Sequence, residues 1–522
     1  MIYHEGIGRV NVDSVPLPEE VKLQSATYTY SGKVLISYKT ENDIDISDFY
    51  HLAVLDDDGS NFRKIFSGLI PTLPKANGIR YMPFQDNTRV LLGDYVLECA
   101  PDIDTCERAE LVPIVYPSAV DEDPNTTHRW SEIIVAPDNE HMSWTILRAD
   151  IGAAVAIGVL KRNTDSYSIE KVQFISTLSA FANDPNRPGY LLPNPIRGGE
   201  VKQFIRGGNA ISAVGGGGNS TPDSVVQDLT SERLTPITRT PGYDETTIFS
   251  PDERLGMVMS TRFSEKTDPA LFGLLPRPYG THTSMGLAWS LYTYAVTGVR
   301  NFRAGNIGPV LIDIDRSMRE EGYLGVQLTT DEDWVYVSPM SWHPDGKRAM
   351  WPEMRRGSGG SRMRLQKVEL PDYVPQPPVP FERTTDEIPY GVRDVNALQS
   401  VDPNAKGKIA GKHCGYIEYS RVSSGYSGKT EAHYVNFSDD GVNFYHGFEK
   451  TASDIFGENR YEAELRLTGP KPGEMKVRAT FSAVAGPAPL KLLFELDADG
   501  APKSCGYASY GEKTLRIENL AE

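Results

Sequence analysis

Between about residues 20 and 370, apolar and polar positions alternate with period two in short runs that break at Gly, Asp, Asn and Pro. That is the pattern of strands joined by tight turns, and no stretch between them carries helical spacing. Six segments share one phrase, an alternating strand, a polar turn and a second strand. Three turn on Pro-Asp: SEIIVAPDNEHMSWTIL (131–147), ETTIFSPDERLGMVMS (245–260) and VYVSPMSWHPDGKRAMW (335–351). Three turn on Gly, Asp or Asn: SATYTYSGKVLISYK (25–39), IRYMPFQDNTRVLLGD (79–94) and EVKQFIRGGNAISAVG (200–215). A second phrase lies between copies, in FYHLAVLDDDGSNFRKIF (49–66), SVVQDLTSERLTPIT (224–238) and GPVLIDIDRSM (308–318), and predicts a strand, an acidic turn and another strand.

Four short strands per repeat, without intervening helix, predict the blade of a β-propeller. Six copies predict six blades, and the long interval from Asp252 to Asp345 leaves an insertion or a seventh blade open. The phrases FSPDERLGMVM and WHPDGKRAMW resemble the S-P-D-G-K element of TolB-like propeller repeats, over about residues 20–370. The resemblance implies an inner strand ahead of each Pro-Asp turn. It also implies one class of function, a non-catalytic scaffold holding a protein partner. After Leu370, PDYVPQPPVPFER holds five prolines in thirteen residues and predicts an extended spacer. Beyond it, alternating segments such as GYIEYSRV, YEAELRLTG and EMKVRATFSA predict a compact β-sandwich. The expected fold is all-β: a propeller over 1–372, a linker over 373–390 and a sandwich over 391–522.

Size, charge and cysteines narrow this picture. A chain of 522 residues supports two cores. No apolar run approaches the roughly 20 residues of a bilayer span, so no membrane insertion is expected. A net charge of -17 speaks against nucleic acid as a partner. The four cysteines suggest two pairings, Cys99 with Cys106 and Cys414 with Cys505, or four buried thiols, and no C-x-x-C points to zinc. The start MIYHEGIGRV lacks a signal peptide, which fits a periplasmic or secreted protein in mature form, or a cytoplasmic one.

Candidate chemistry follows from the inner-strand register, because side chains leaving the inner strands converge on the channel. Glu245 and Glu200 stand seven residues before the turn residues Asp252 and Gly207. Glu132 and Arg80 fall beside that level. His128, Arg129 and Trp130 open the third repeat. The aromatic segment 264–307 carries Tyr279, His282 and Trp289. Carboxylates with a histidine suit acid/base catalysis, and they equally suit a divalent cation; no other cofactor is implied. The expected catalytic residues are Glu245, Glu200, Glu132, His128 and His282. Arg80, Arg129, Trp130, Tyr279 and Trp289 are expected to bind a small carbohydrate-like or aromatic substrate, with ring stacking as the reason for the aromatics. A lyase, hydrolase or isomerase is the enzymatic reading, and the scaffold is its alternative.

Overall fold

The computed structural model describes residues 2–71, 81–118, 126–127, 133–148, 152–177, 181–194, 197–215, 223–266, 268–278, 298–301, 307–398, 404–424, 427–486 and 490–520. Six blades with antiparallel neighbouring strands follow one another along the chain, and those of blades II and III are joined into one nine-stranded sheet by a parallel pairing of Ile114 and Val115 with Tyr167 and Ser168. Each of the six repeated phrases supplies the two inner strands of one blade. These are Lys22–Tyr28 with Val34–Lys39 in blade I, Tyr81–Pro83 with Arg89–Leu92 in blade II, and Ile133–Val135 with His141–Arg148 in blade III. Glu200–Ile205 pairs with Ala210–Gly215 in blade IV, Asp244–Phe249 with Leu255–Ser260 in blade V, and Ser341–Trp342 with Arg348–Arg355 in blade VI. Blade VI takes its outer strand from the other end of the propeller: Gly8–Val15 pairs with Met363–Glu369, so the N-terminal segment closes the ring. Arg9 fastens the closure, with its guanidinium 2.7 Å from Asp372.

Burial explains why blades form here. Val34–Lys39 and Leu255–Ser260 are buried along their whole length, so both faces of each strand are covered. The covering comes from adjacent blades, and each of the six interfaces has its own apolar cluster: I with II around Leu35 and Leu97, II with III around Phe84 and Trp144, III with IV around Ile157 and Phe204. The circuit continues with IV and V around Val226 and Val258, V and VI around Met257 and Trp351, and VI and I around Met350 and Ile36. The circuit is complete with six blades. The interval from Asp252 to Asp345 is therefore an insertion, since Leu255–Ser260 and Gly308–Asp313 are direct partners with residues 261–307 looped out between them.

One phrase departs from its expectation. Within GPVLIDIDRSM the second strand is replaced by a helix, Ile314–Arg319, because Asp313 caps it by accepting from the Arg316 amide at 3.0 Å. Arg319 pairs with Asp315 one turn away.

The C-terminal module is all-β, and its strands lie in one antiparallel sheet of eight in sequence order, from Lys406–Ala410 to Lys513–Arg516. The two facing sheets of a sandwich give way to one curled sheet, because every strand pairs with its chain neighbour and none crosses over. Its strands alternate strictly, as in Asn459–Thr468, where Tyr461, Ala463, Leu465 and Leu467 face in. The enclosed core contains Leu271, Phe272, Leu274 and Leu275 from the blade V insertion. Phe272 meets Tyr461 edge-on at 5.3 Å. Behind it, Arg277 lies 3.2 Å from Glu449, both side chains fully buried, and Tyr434 and Tyr461 donate to the same carboxylate at 2.9 and 2.8 Å. The described part of the insertion thus packs into the C-terminal core, and Tyr279, His282 and Trp289, the groups expected to meet a substrate, lie outside the described residues.

All four cysteines are free thiols. Cys99 and Cys106 are buried in the cluster between blades I and II, and burial together with the neighbouring Cys106 pushes the Cys99 thiol up.

Arg277→Ala leaves Glu449 buried without its cation and should cost about 3–5 kcal/mol of stability. Urea unfolding monitored by circular dichroism measures it. Arg277→Met combined with Glu449→Gln should recover part of the loss, and a neutral effect of Arg277→Ala would show that the pair does not hold the insertion in place.

Candidate functional site in the propeller channel

An innermost strand has one edge facing its own sheet and another facing the next blade, where no ladder continues. Side chains complete that edge. Phe249 N donates to Gln203 Oε1 at 2.7 Å between blades V and IV, and Trp342 Nε1 donates to the Ile248 carbonyl at 2.8 Å between VI and V. Tyr28 N donates to Ser341 Oγ at 2.9 Å across the closure from I to VI, and Val201 N donates to Thr145 Oγ1 at 3.2 Å between IV and III. Tyr81 Oη reaches the Leu35 carbonyl at 3.4 Å, and Val135 N meets Met82 Sδ at 3.3 Å. Every blade junction thus carries a bond that fixes its inner strand relative to the axis.

These strands enclose a cavity of about 350 Å³, within the range of small-ligand pockets. Aromatic groups line it from blade I (Tyr28, Tyr30), blade II (Tyr81), blades IV and V (Phe204, Phe249) and blade VI (Tyr336, Trp342). Among them stand Ser25, Thr27, Gln85, Gln203, Thr246, Ser338 and Ser341. Burial pushes the Tyr30 hydroxyl up to about 12 and those of Tyr28 and Tyr81 higher still, so all three remain hydrogen-bond donors at neutral pH.

Lys202 lines the same cavity, and its ammonium lies 2.8 Å from Glu200 and 3.0 Å from Glu245. Tyr243 donates to the second oxygen of Glu245 at 3.0 Å. A β-bulge in Glu200–Ile205 falls at Lys202, between the pairs Val201–Ala213 and Gln203–Ser212, and from it the ammonium reaches both Glu200 on its own strand and Glu245 at the start of the next inner strand. A lysine 1% exposed at its side chain needs carboxylates to stay charged, and it has two. Of the sequence-derived candidates, Glu200 and Glu245 therefore come together around a residue that the register argument passed over. EVKQFI does carry a signal for Lys202, a lone cation two residues from Glu200 in an inner strand whose Val201, Phe204 and Ile205 are buried. Neither carboxylate lines the cavity; Lys202 stands between them and it. Arg80, His128, Arg129, Trp130, Glu132, Tyr279, His282 and Trp289 lie outside the described residues. No cluster of three metal-ligating side chains occurs among the described residues.

The opposite mouth is crossed by the proline-rich segment, and Pro378, Val379 and Phe381 form part of the cavity wall. The segment is stitched to the turns that follow the inner strands. Asp252 accepts from Tyr373 Oη at 3.1 Å and Gln376 N at 2.9 Å, and Val379 N donates to the Pro251 carbonyl at 2.9 Å. Glu382 N donates to the Gly207 carbonyl at 2.8 Å, and Thr384 N to Asp138 at 2.9 Å. Gly207 has φ +67°, and a Cβ there would stand 2.5 Å from the Pro380 carbonyl, so the close crossing requires glycine. His141 bridges Asp138 at 2.7 Å and Asp386 at 3.0 Å. Two of the three Pro-Asp turns that mark the repeats, at Asp138 and Asp252, thus also bind the linker. Glu253, in one of these turns, lines the cavity, and burial raises its carboxyl against the pull of the Arg206 amide.

These features define an all-β, six-bladed propeller with a strapped channel and an appended curled sheet. No family model matches the sequence, and no curated protein does. Among solved structures, TolB from Acinetobacter baumannii is 12% identical at a TM-score of 0.31, covering 66% of this chain and 63% of its own. A luciferin-regenerating enzyme is 9% identical at 0.36, covering 72% of this chain and 100% of its own. The blade count rests on strand order and interface clusters, independently of these likenesses. No helix among the described residues is long and apolar enough to cross a membrane.

Asp138 offers a test of the strap. Burial opposes its ionisation, and hydrogen bonds from the His141 ring, the His141 amide and the Glu140 amide outweigh burial, holding the carboxyl down at about 2. A depressed folded value means a stabilisation fully present above the ordinary value near 3.8 and lost as pH falls through about 2. Pepsin cleavage within residues 373–388 should therefore accelerate as pH falls from about 4 to about 2. Asp138→Asn should open the segment already at the higher pH, losing about 2 kcal/mol of local stability. Equal cleavage of both proteins at every pH would refute the role of Asp138.

Proposed function

We propose that the channel binds one small, hydroxylated, ring-bearing molecule, sugar-like or aromatic, and that Lys202 acts on it by proton transfer as part of a lyase, hydrolase or isomerase. The observation that carries this reading is Lys202, which borders the cavity while two carboxylates hold its ammonium. Aromatic walls supply stacking area at low entropic cost, and the serine and threonine hydroxyls with that of Tyr30 supply directional contacts, the hydroxyls of Tyr28 and Tyr81 being engaged by Asp57 and the Leu35 carbonyl. A fixed ammonium stabilises negative charge developing on a substrate oxygen, and it can deliver a proton there. Glu200, Glu245 and Tyr243 position it. A TolB-like, non-catalytic scaffold would instead seat a protein segment in the channel. Pro378, Val379 and Phe381 stand where such a segment would enter from the strapped side, which favours a small ligand.

Thermal-shift screening of neutral monosaccharides and simple phenols should find a ligand that raises the melting temperature of the native chain. Lys202→Met should abolish the shift and lower turnover of that ligand by about 10²-fold or more. Tyr30→Phe removes one hydroxyl without touching the ion cluster, and should weaken binding about 5-fold. A ligand whose binding neither substitution affects would place the site elsewhere.

A further inference from the structure

Blade I carries a second arrangement of reactive groups, on its outer strands and away from the channel. Ser67 Oγ lies 2.7 Å from His51 Nδ1, and His51 Nε2 lies 2.7 Å from Asp43 Oδ2. Asp43 is fixed in turn by the Thr40 amide and the Thr40 hydroxyl, both at 2.8 Å. Burial works against ionisation of Asp43, and the hydrogen bonds from Thr40 and His51 outweigh it, so the carboxyl sits below its ordinary range. The His51 ring is stacked on Tyr38 at 5.0 Å and met edge-on by Phe49 at 5.2 Å, so it has little freedom to rotate. Ser67, on the outermost strand Arg63–Leu69, is exposed, whereas Asp43 is 7% exposed. An accessible nucleophile, a locked imidazole and a buried, oriented carboxylate are the three parts of an acyl-transfer site.

The strand register supplies the remaining elements. Ile70 N donates to the Asp48 carbonyl, and residues opposite each other alternate between bonded and non-bonded pairs in an antiparallel ladder. His51 and Ser67 are opposite each other and form a non-bonded pair, so the Ser67 amide points away from Phe49–Leu55. It lies beside its own hydroxyl, where a backbone N–H can receive an oxyanion. Phe49 and Leu69, a pair two residues along on the same face, give an apolar shelf next to Ser67, with Leu69 59% exposed.

We propose that Ser67, His51 and Asp43 form a second, catalytic site that hydrolyses carboxylic esters with a short apolar acyl group. Ser67 Oγ attacks the ester carbonyl carbon, and its proton passes to His51 Nδ1 while Nε2–H remains bonded to Asp43. The bond from carbonyl carbon to alkoxy oxygen then breaks, and His51 returns the proton to the leaving alcohol. Water attacks the acyl-serine with His51 again taking the proton, which releases the carboxylic acid and restores Ser67. The imidazole presents Nδ1 to the nucleophile and Nε2 to the carboxylate, and the one tautomer that satisfies both contacts is the one that leaves Nδ1 free to accept.

The test treats the full chain with a fluorophosphonate probe, maps the adduct by peptide mass spectrometry, and follows hydrolysis of p-nitrophenyl butyrate. The expected result is an adduct on Ser67 and ester hydrolysis that Ser67→Ala abolishes without changing the melting temperature, since the hydroxyl is exposed. Asp43→Asn, which reverses the favoured tautomer, should lower kcat/KM by about 10²-fold or more. Absence of an adduct on Ser67, or hydrolysis by Ser67→Ala equal to that of the native chain, overturns the proposal.

Discussion

An inner propeller strand cannot satisfy both of its edges within its own blade, and most of what distinguishes this molecule follows from how the second edge is completed. Side chains such as Gln203, Trp342 and Ser341 bond the inner backbone of the adjacent blade, so each junction contributes a fixed contact beside the axis. The ring must also close, and it does so by borrowing Gly8–Val15 from the N-terminal segment as the outer strand of blade VI. Buried polar backbone left unpaired at any junction would cost a few kcal/mol, so these bonds are as necessary to the fold as the six apolar clusters they accompany.

A channel built in this way is rigid, and its rigidity permits a charged residue in the interior. Lys202 is tolerated because its carboxylate partners come from the same strand and from the adjacent one, held at a distance that the junction sets. The linker uses the same device on the other side. Its prolines leave few amides to satisfy, and those at Gln376, Val379, Glu382 and Thr384 find acceptors on the turns of blades III, IV and V. The blade V insertion is anchored in the C-terminal core through Phe272 and the Arg277–Glu449 pair. Linker and insertion thus join the two modules, together with the hairpin of Phe181–Asn183 and Leu191–Pro193, whose Leu191 lies in the same C-terminal core and beside which the Gly189 carbonyl accepts from Lys408 N at 2.9 Å.

Much of the architecture was legible in the chain. The six turn phrases locate the six inner strand pairs because period-two alternation and turn residues are local properties. The acidic phrase at 308–318 was misread because capping by Asp313 overrides a strand pattern within two residues. The curled sheet was read as a sandwich because alternation reports one buried face and is silent on whether that face meets itself or a second sheet. Candidate chemistry was harder to read. Glu200 and Glu245 stood out as register positions, yet Lys202 and the Asp43, His51 and Ser67 grouping become visible only when separate strands are laid side by side. In the sequence, His51 follows Asp43 by eight positions and Ser67 follows His51 by sixteen, a spacing that carries no motif.

On the proposed function, the axial cavity bordered by Lys202 is where this propeller meets a small molecule. Crystals soaked with a set of neutral ring-bearing hydroxylated fragments test it most directly. Fragment density is expected in the channel, with a ring against the walls formed by Tyr30, Phe249 or Trp342 and an oxygen within hydrogen-bond distance of Lys202 Nζ. Fragments bound only outside the channel, with Lys202 contacting nothing but its carboxylates, would contradict it.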